Sequence, residues 1–278
     1  MPDERPHQRY AFAVTEWTPC PSQVKLPTFA AVTTWRGEKF LNGRSVYWAG
    51  TDGTLWVSYD NLHGGFYQLS TSRTVTRLAV DSSDADSPTG LFGIDASGKP
   101  VKYSNGDWTD LNLGPGTDRH KAVDVAVSTD DKAAWFVTSE GQYYVYSFDG
   151  TVIPEELFLG FKAIAPMNVP DPNKPNSVGA AWGVTTGGQL AFNGGGGWLI
   201  GEAGNDYMSD LADVSTSLSY AWLLKNDATV WVTQSGYAGQ RVGVDFTAKD
   251  ICGSSQDDHC FAVAADGTPW RTNDSSPM

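Results

Sequence analysis

The side chains best able to meet a ligand in this sequence are aromatic. It holds 11 Trp, 11 Tyr and 12 Phe in 278 residues. Aromatic faces stack on the C–H faces of sugars, so aromatics recurring at one spacing, with polar groups nearby, point to carbohydrate recognition. Trp56, Tyr144, Trp231 and Trp270 form such a set, each three residues after a turn residue. The same position holds Val101 and Ala191 in the two other copies of the pattern. They read as wedges between facing blades or, since a purely structural wedge would recur in every copy, as ligand platforms lining inter-blade grooves. Trp108 and Trp198, with Trp17 and Tyr67, form a second set near Gly turns. They are expected to sit toward the rim, as further platforms or as a hydrophobic belt.

Motifs for covalent or metal chemistry are missing. The chain has no H-E-x-x-H, C-x-x-C, G-x-S-x-G or P-loop. His7, His63, His120 and His259 are scattered, so neither a metal nor a cofactor is expected. The acidic run DSSDADS (81–87) offers oxygens to a cation but lacks the EF-hand pattern. Arg44, Arg77, Arg241 and Arg271 occur once each around the repeat and read as solvated surface. The segment PMNVPDPNKPNS (166–177) carries four prolines. Loops of this length in compact domains are often functional, and with 81–88 it would wall one mouth of a central channel.

The elements that position these residues follow from an internal repeat. Turn residues Gly53, Gly98, Gly141, Gly188, Ala228 and Gly267 recur every 43 or so residues, about the length of a four-stranded propeller blade. Six residues before each stands an aromatic: Tyr47, Phe92, Trp135, Trp182, Trp222 and Phe261. Ahead of each aromatic strand lies a short segment of small apolar residues, such as AAV (30–32), VAV (125–127) and AIA (163–165), suited to an innermost strand crowding an axis. A less regular fourth strand follows a Gly-rich turn. The pattern predicts an all-β, six-bladed β-propeller with four-stranded antiparallel blades, one domain over 1–278 with short tails at about 1–9 and 273–278. The last copy stops after its third strand, so residues 10–17 are expected to supply the fourth and close the ring.

The net charge of −13, with no cluster of Lys and Arg, argues against nucleic acid as a partner. No run of residues is long and apolar enough to insert in a membrane. The N-terminus shows no apolar signal core, so a cytoplasmic location is expected, or a secreted one if a leader was removed. Cys20, Cys252 and Cys260 read as buried thiols, although a Cys252–Cys260 disulfide across a turn stays open in an oxidising compartment.

The repeat resembles that of the tectonin family of β-propellers, most closely in AKDICGSSQDDHCFAVAADGTPWR (248–271) and VDVAVSTDDKAAWFVTSEGQYYVY (123–146). The resemblance implies a lectin that binds glycans in inter-blade grooves without catalysis. Two alternatives stand beside it: an enzyme on the same scaffold, acting on a small apolar metabolite in a single pocket, and a protein-interaction scaffold. The oligomeric state is left open.

Overall fold

The computed structural model describes residues 17–35, 45–59, 65–70, 73–80, 90–113, 121–128, 133–155, 160–166, 181–193, 198–201, 208–217, 220–233, 239–254 and 259–272. Within them the chain forms a six-bladed β-propeller of four-stranded antiparallel sheets. The ring is closed by β1 (Trp17–Pro19), described with the last blade. Blade 1 comprises β2 (Phe29–Trp35), β3 (Ser45–Gly50), β4 (Leu55–Tyr59) and β5 (Phe66–Ser70). Blade 2 comprises β6 (Val75–Val80), β7 (Leu91–Asp95), β8 (Pro100–Ser104) and β9 (Asp107–Asp110). Blade 3 runs through β10 (Ala122–Ser128), β11 (Ala133–Thr138), β12 (Tyr143–Ser147) and β13 (Val152–Glu155). Blade 4 holds β14 (Phe161–Pro166), β15 (Ala181–Thr185), β16 (Leu190–Asn193) and β17 (Trp198–Ile200). Blade 5 holds β18 (Leu211–Thr216), β19 (Ala221–Lys225), β20 (Val230–Thr233) and β21 (Gln240–Val242).

Blade 6 takes three strands from the end of the chain, β22 (Ala248–Gly253), β23 (Cys260–Ala264) and β24 (Pro269–Thr272), and its fourth from the beginning. Trp17 pairs with Thr272 and Pro19 with Trp270. The N-terminal strand therefore closes the ring, two residues later than expected; residues 10–16 and both expected tails lie outside the described residues.

Side-chain alternation explains why the repeat has the residues it does. The registered aromatics point toward the next blade: Tyr47 meets Val75 and Leu91, Phe92 meets Ala122 and Val125, and Trp222 meets Ala248 and Ile251. The fourth residue of each inner strand (Val32, Leu78, Val125, Ile164, Val214, Ile251) packs against the preceding blade. The apolar core is thus six clusters, one in each seam between blades.

The turn glycines serve the same seams. Each adopts a left-handed backbone, and a Cβ on Gly267 would lie 2.1 Å from Thr28 Cγ2, in the next blade's approach. In four seams the carbonyl of this residue accepts the first N–H of the next inner strand, as in Gly141 O from Phe161 N–H at 2.9 Å. Ala228 keeps the same conformation, at φ 65°, despite its Cβ.

Candidate functional site

The six inner strands surround an axial channel, and a cavity of about 100 Å³ lies within it. Each inner strand carries a register shift between its first and third residues. A bulge of this kind re-aims the side chain that follows it. The third residues are Ala31, Arg77, Asp124, Ala163, Asp213 and Asp250, so the repeat breaks down at this level of the ring. One guanidinium and three carboxylates face the axis where a sixfold repeat would place one residue type.

Arg77 links them. Its Nε lies 3.8 Å from Asp124 Oδ1 in the next blade, and its Nη1 lies 3.6 Å from Asp250 Oδ1 in blade 6. The carboxylates are also tied to backbone: Asp124 Oδ2 accepts from Ile164 N–H at 2.8 Å and Asp250 Oδ2 from Val32 N–H at 2.9 Å, each across a seam. Asp213 Oδ1 accepts from Val214 N–H at 2.7 Å.

These groups do not titrate as free side chains do. Burial, reinforced by Asp213 and offset in part by Arg77, pushes Asp250 up to about 7. Burial and the field of Asp213 raise Asp124 well above the usual carboxylate range, against the attraction of Arg77. Burial raises Asp213 too, again opposed by Arg77. Burial opposes the charge on Arg77, but Asp250, Asp213 and Asp124 outweigh it and hold the guanidinium protonated. The Arg77 side chain keeps 32% of its surface exposed, against 9% for Asp124 and 6% for Asp250. Solvent in the channel thus meets the cation, while the carboxylates stay behind it. Among the described residues no three His, Cys, Asp or Glu side chains are placed to hold a metal ion.

Above this floor the channel has two sides. At the fifth and sixth residues of the inner strands, blades 2 to 4 present Ala79, Val80, Ala126, Val127, Ala165 and Pro166. Blades 5, 6 and 1 present Ser215, Thr216, Cys252, Thr33 and Thr34. The polar arc also stitches seams: Thr216 Oγ1 donates to Pro166 O at 2.8 Å, and Ser215 Oγ accepts from Gly253 N–H at 2.9 Å. Burial pushes the Cys252 thiol up to about 11, so it is no nucleophile at neutral pH. Cys252 stands opposite Phe261 while Cys260 stands opposite Gly253, which puts the two sulfurs on opposite faces of the sheet. All three cysteines are free thiols. The segment 81–88 and residues 167–177 of the other segment expected to wall the channel mouth lie outside the described residues, as do Arg44, His63 and His120.

The aromatic candidates lie elsewhere, in the seams. Each of the third-strand residues packs toward the preceding blade: Trp56 against the cluster of Phe29 and Phe261, Tyr144 against that of Phe92, Trp231 against that of Trp182, and Trp270 against that of Trp222. All four are half-buried. Two are pinned by their own turns. Trp56 Nε1 donates to Thr54 Oγ1 at 2.7 Å, and that hydroxyl donates to Asp52 Oδ1 at 2.6 Å. Trp231, Thr229 and Asp227 repeat the relay at 3.1 and 2.6 Å. Trp270 stacks on Phe246 at 4.5 Å.

The two blades without a third-strand aromatic fill the seam from the fourth strand. Trp108 is buried between blades 1 and 2, and Trp198 packs between blades 3 and 4, 4.5 Å from Phe161. In these blades a glycine on the second strand makes room: a Cβ on Gly93 would stand 3.4 Å from Trp108 Cη2, and one on Gly183 3.2 Å from Trp198 Cζ3. The wedge therefore recurs in all six blades from different strands. The uneven distribution along the sequence is compensation in packing. Sequence reasoning passed over the channel residues, taking Arg77 as loop surface. The D-I/V pair in VDVAV, ADVST and KDICG, with arginine in one copy, was the signal that pointed there.

No family model matches the chain, and no curated protein matches it. Solved structures match its fold over most of its length. It is similar to a gluconolactonase of Xanthomonas campestris, with 14% identity, 93% of this chain and 89% of that one covered, and a TM-score of 0.66. It is also similar to the Cps50 (Swd1) β-propeller domain of Myceliophteria thermophila, with 9% identity, 88% and 82% covered, and a TM-score of 0.57. The structure of U3-55K aligns at 9% identity over 92% of this chain and 98% of its own, with a TM-score of 0.58. At these identities the likeness is one of fold, and the chain is a six-bladed β-propeller.

Proposed function

We propose that the chain is an enzyme on a propeller scaffold, acting on a small molecule at one site in the axial channel. The observation that supports this is the coupling of Arg77 to Asp124, Asp213 and Asp250 at a level of the ring where the repeat is broken. Clustered groups with shifted protonation, set in a cavity, mark candidate sites of chemistry. Arg77 would donate to a substrate oxygen and stabilise charge developing on it. Asp250, its carboxyl pushed up to about 7, and Asp124, raised by its own burial and by Asp213, would supply acid–base capacity beside it. The Xanthomonas gluconolactonase is an enzyme on the same architecture.

Carbohydrate binding, the first expectation from the sequence, is the second reading. Its support is the partial exposure of Trp56, Tyr144, Trp198, Trp231 and Trp270 at the seams. The two readings differ in stoichiometry and in sensitivity to mutation. A thermal-shift screen of neutral metabolites, beside a glycan array, is expected to yield ligands that bind one per chain and are lost in Arg77→Met. Several equivalents per chain, lost in Trp231→Ala and retained in Arg77→Met, would assign a lectin instead.

A further inference from the structure

We infer that the outer strand of blade 4, β17, accepts a further strand: an extended segment of a partner protein, apolar along the length of β17 and flanked by Lys or Arg. The outer strand of each blade is a sheet edge, and an edge offers unpaired N–H and C=O groups to another chain. Charged side chains, prolines and bulges are what keep such an edge from pairing. One register position compares the six edges, the residue opposite Trp56 and its equivalents on the third strands. There stand Gln68 in blade 1, Asp110 in blade 2, Pro154 in blade 3, Arg241 in blade 5 and Pro19 in blade 6. Blade 1 adds a bulge, a register shift between Leu55 and Trp56. Blade 4 has Ile200 there, opposite Ala191, in an unbroken register with β16. Neither Trp198, Leu199 nor Ile200 is charged or proline.

The backbone of β17 is turned to receive such a segment. Gly201 N–H donates inward to Leu190 O at 2.8 Å. Alternation in an antiparallel pair then turns Leu199 inward as well, and the N–H and C=O of Trp198 and Ile200 outward. β17 is the last strand of its sheet among the described residues. Both of its faces are apolar. Leu199, 71% exposed, stands beside Phe192 on the side of blade 5, and Ile200, 41% exposed, shares the side of blade 3 with Trp198. Apolar residues in succession on an added strand would pair with each face in turn.

Two observations choose the occupant. β17 has 3 residues and so is about 10 Å long, whereas a stable dimer needs about 800 Å² from each partner. Two propeller rims meeting along so short a strand fall well short of that, while a peptide takes its affinity from main-chain hydrogen bonds. The net charge of −13 opposes a second copy and favours a cationic partner, hence Lys or Arg beside the apolar run.

The test titrates the whole chain into the fluorescein-labelled peptide KKVIVYVKK, read by fluorescence anisotropy. Two further probes are the same peptide N-methylated at its central amides and the acid-flanked EEVIVYVEE. Circular dichroism confirms that each variant folds. Ile200→Pro copies blade 6, where Pro19 precedes Cys20, whose N–H donates to Pro269 O as that of Gly201 does to Leu190 O. The substitution therefore removes an outward donor and leaves the ladder intact. KKVIVYVKK is expected to bind one per chain, to weaken about fivefold in Ile200→Pro, the loss of one backbone hydrogen bond, and to weaken in Leu199→Ser. Tyr67→Ser, on the edge of blade 1, is expected to leave it unchanged. If Ile200→Pro does not fold, Leu199→Ser carries the test. Equal binding of the N-methylated peptide would show adsorption and overturn strand addition; equal binding of the acid-flanked peptide overturns the cationic partner. Binding lost in Tyr67→Ser and kept in Ile200→Pro overturns the choice of blade 4. A dimer in sedimentation velocity that Ile200→Pro dissociates gives the edge to a second copy instead. Absence of binding by every peptide overturns the proposal.

Discussion

Replacing Asp250 separates its charge from its hydrogen bond. Asp250 is buried, and its carboxylate accepts from Val32 N–H across the seam between blades 6 and 1. Its pKa in the fold, about 7, lies above the ordinary value of 3.8. A carboxyl raised in this way stabilises the fold below its unfolded pKa, and that contribution is lost as pH climbs through the folded value. Between pH 5 and pH 8 the loss is about 3 kcal/mol for this group, from about 1.4 kcal/mol per pH unit over the window in which the folded chain holds the proton and the unfolded chain does not. Asp250→Asn keeps an acceptor for Val32 and removes the titration. Urea unfolding is therefore expected to show the wild type losing more stability from pH 5 to pH 8 than the Asn variant, which is the more stable protein at pH 8. Asp250→Ala strands the Val32 N–H and is expected to fall below Asn at both pH values by about 1–3 kcal/mol. An Asn variant less stable than wild type at pH 8, with an unchanged pH dependence, would show that Arg77 holds Asp250 ionised and would refute the reasoning.

Three further outcomes are expected. Ala228→Gly relieves a left-handed alanine at φ 65° and should raise stability by about 0.5–1 kcal/mol in denaturant titration, since the Cβ strain exceeds the entropy glycine adds to the unfolded chain. Gly183→Ala puts a Cβ 2.7 Å from Phe161 Cε1 and should cost about 1–3 kcal/mol by thermal unfolding; an unchanged melting temperature would count against the packing of Trp198 over this glycine. Removal of the chain through Pro19 exposes the edge of β24 and leaves Trp222 and Phe246 without Trp17, so light scattering should report self-association that the intact chain does not show.

Much of the architecture is legible in the chain because its cause is periodic. An aromatic six residues before each turn and a left-handed turn residue are required once per blade, whatever the neighbouring blade contains. Six copies state the strand count, the blade count and the need for an N-terminal closing strand. Trp56, Tyr144, Trp231 and Trp270 looked like exceptions to the repeat for a different reason. Their seams are filled by the pair of facing blades, and Val101 and Ala191 are compensated by Trp108 and Trp198 from another strand, over Gly93 and Gly183. A linear pattern records who occupies a position and is silent about who shares its space.

The charged floor of the channel divides in the same way. Sequence by itself determined that the inner strands are short, small and apolar, with an acidic residue in three of them, because the axis admits little else. Only the tertiary structure decided that Arg77 belongs with Asp124, Asp213 and Asp250. The four come from different blades, 37 to 173 residues apart along the chain when counted from Arg77 to Asp250 and between neighbours. Closing the ring brings them within Coulombic reach in a space that holds little water, and there their protonation becomes collective. Proximity of that kind is a property of the closed ring, so no single repeat carries it.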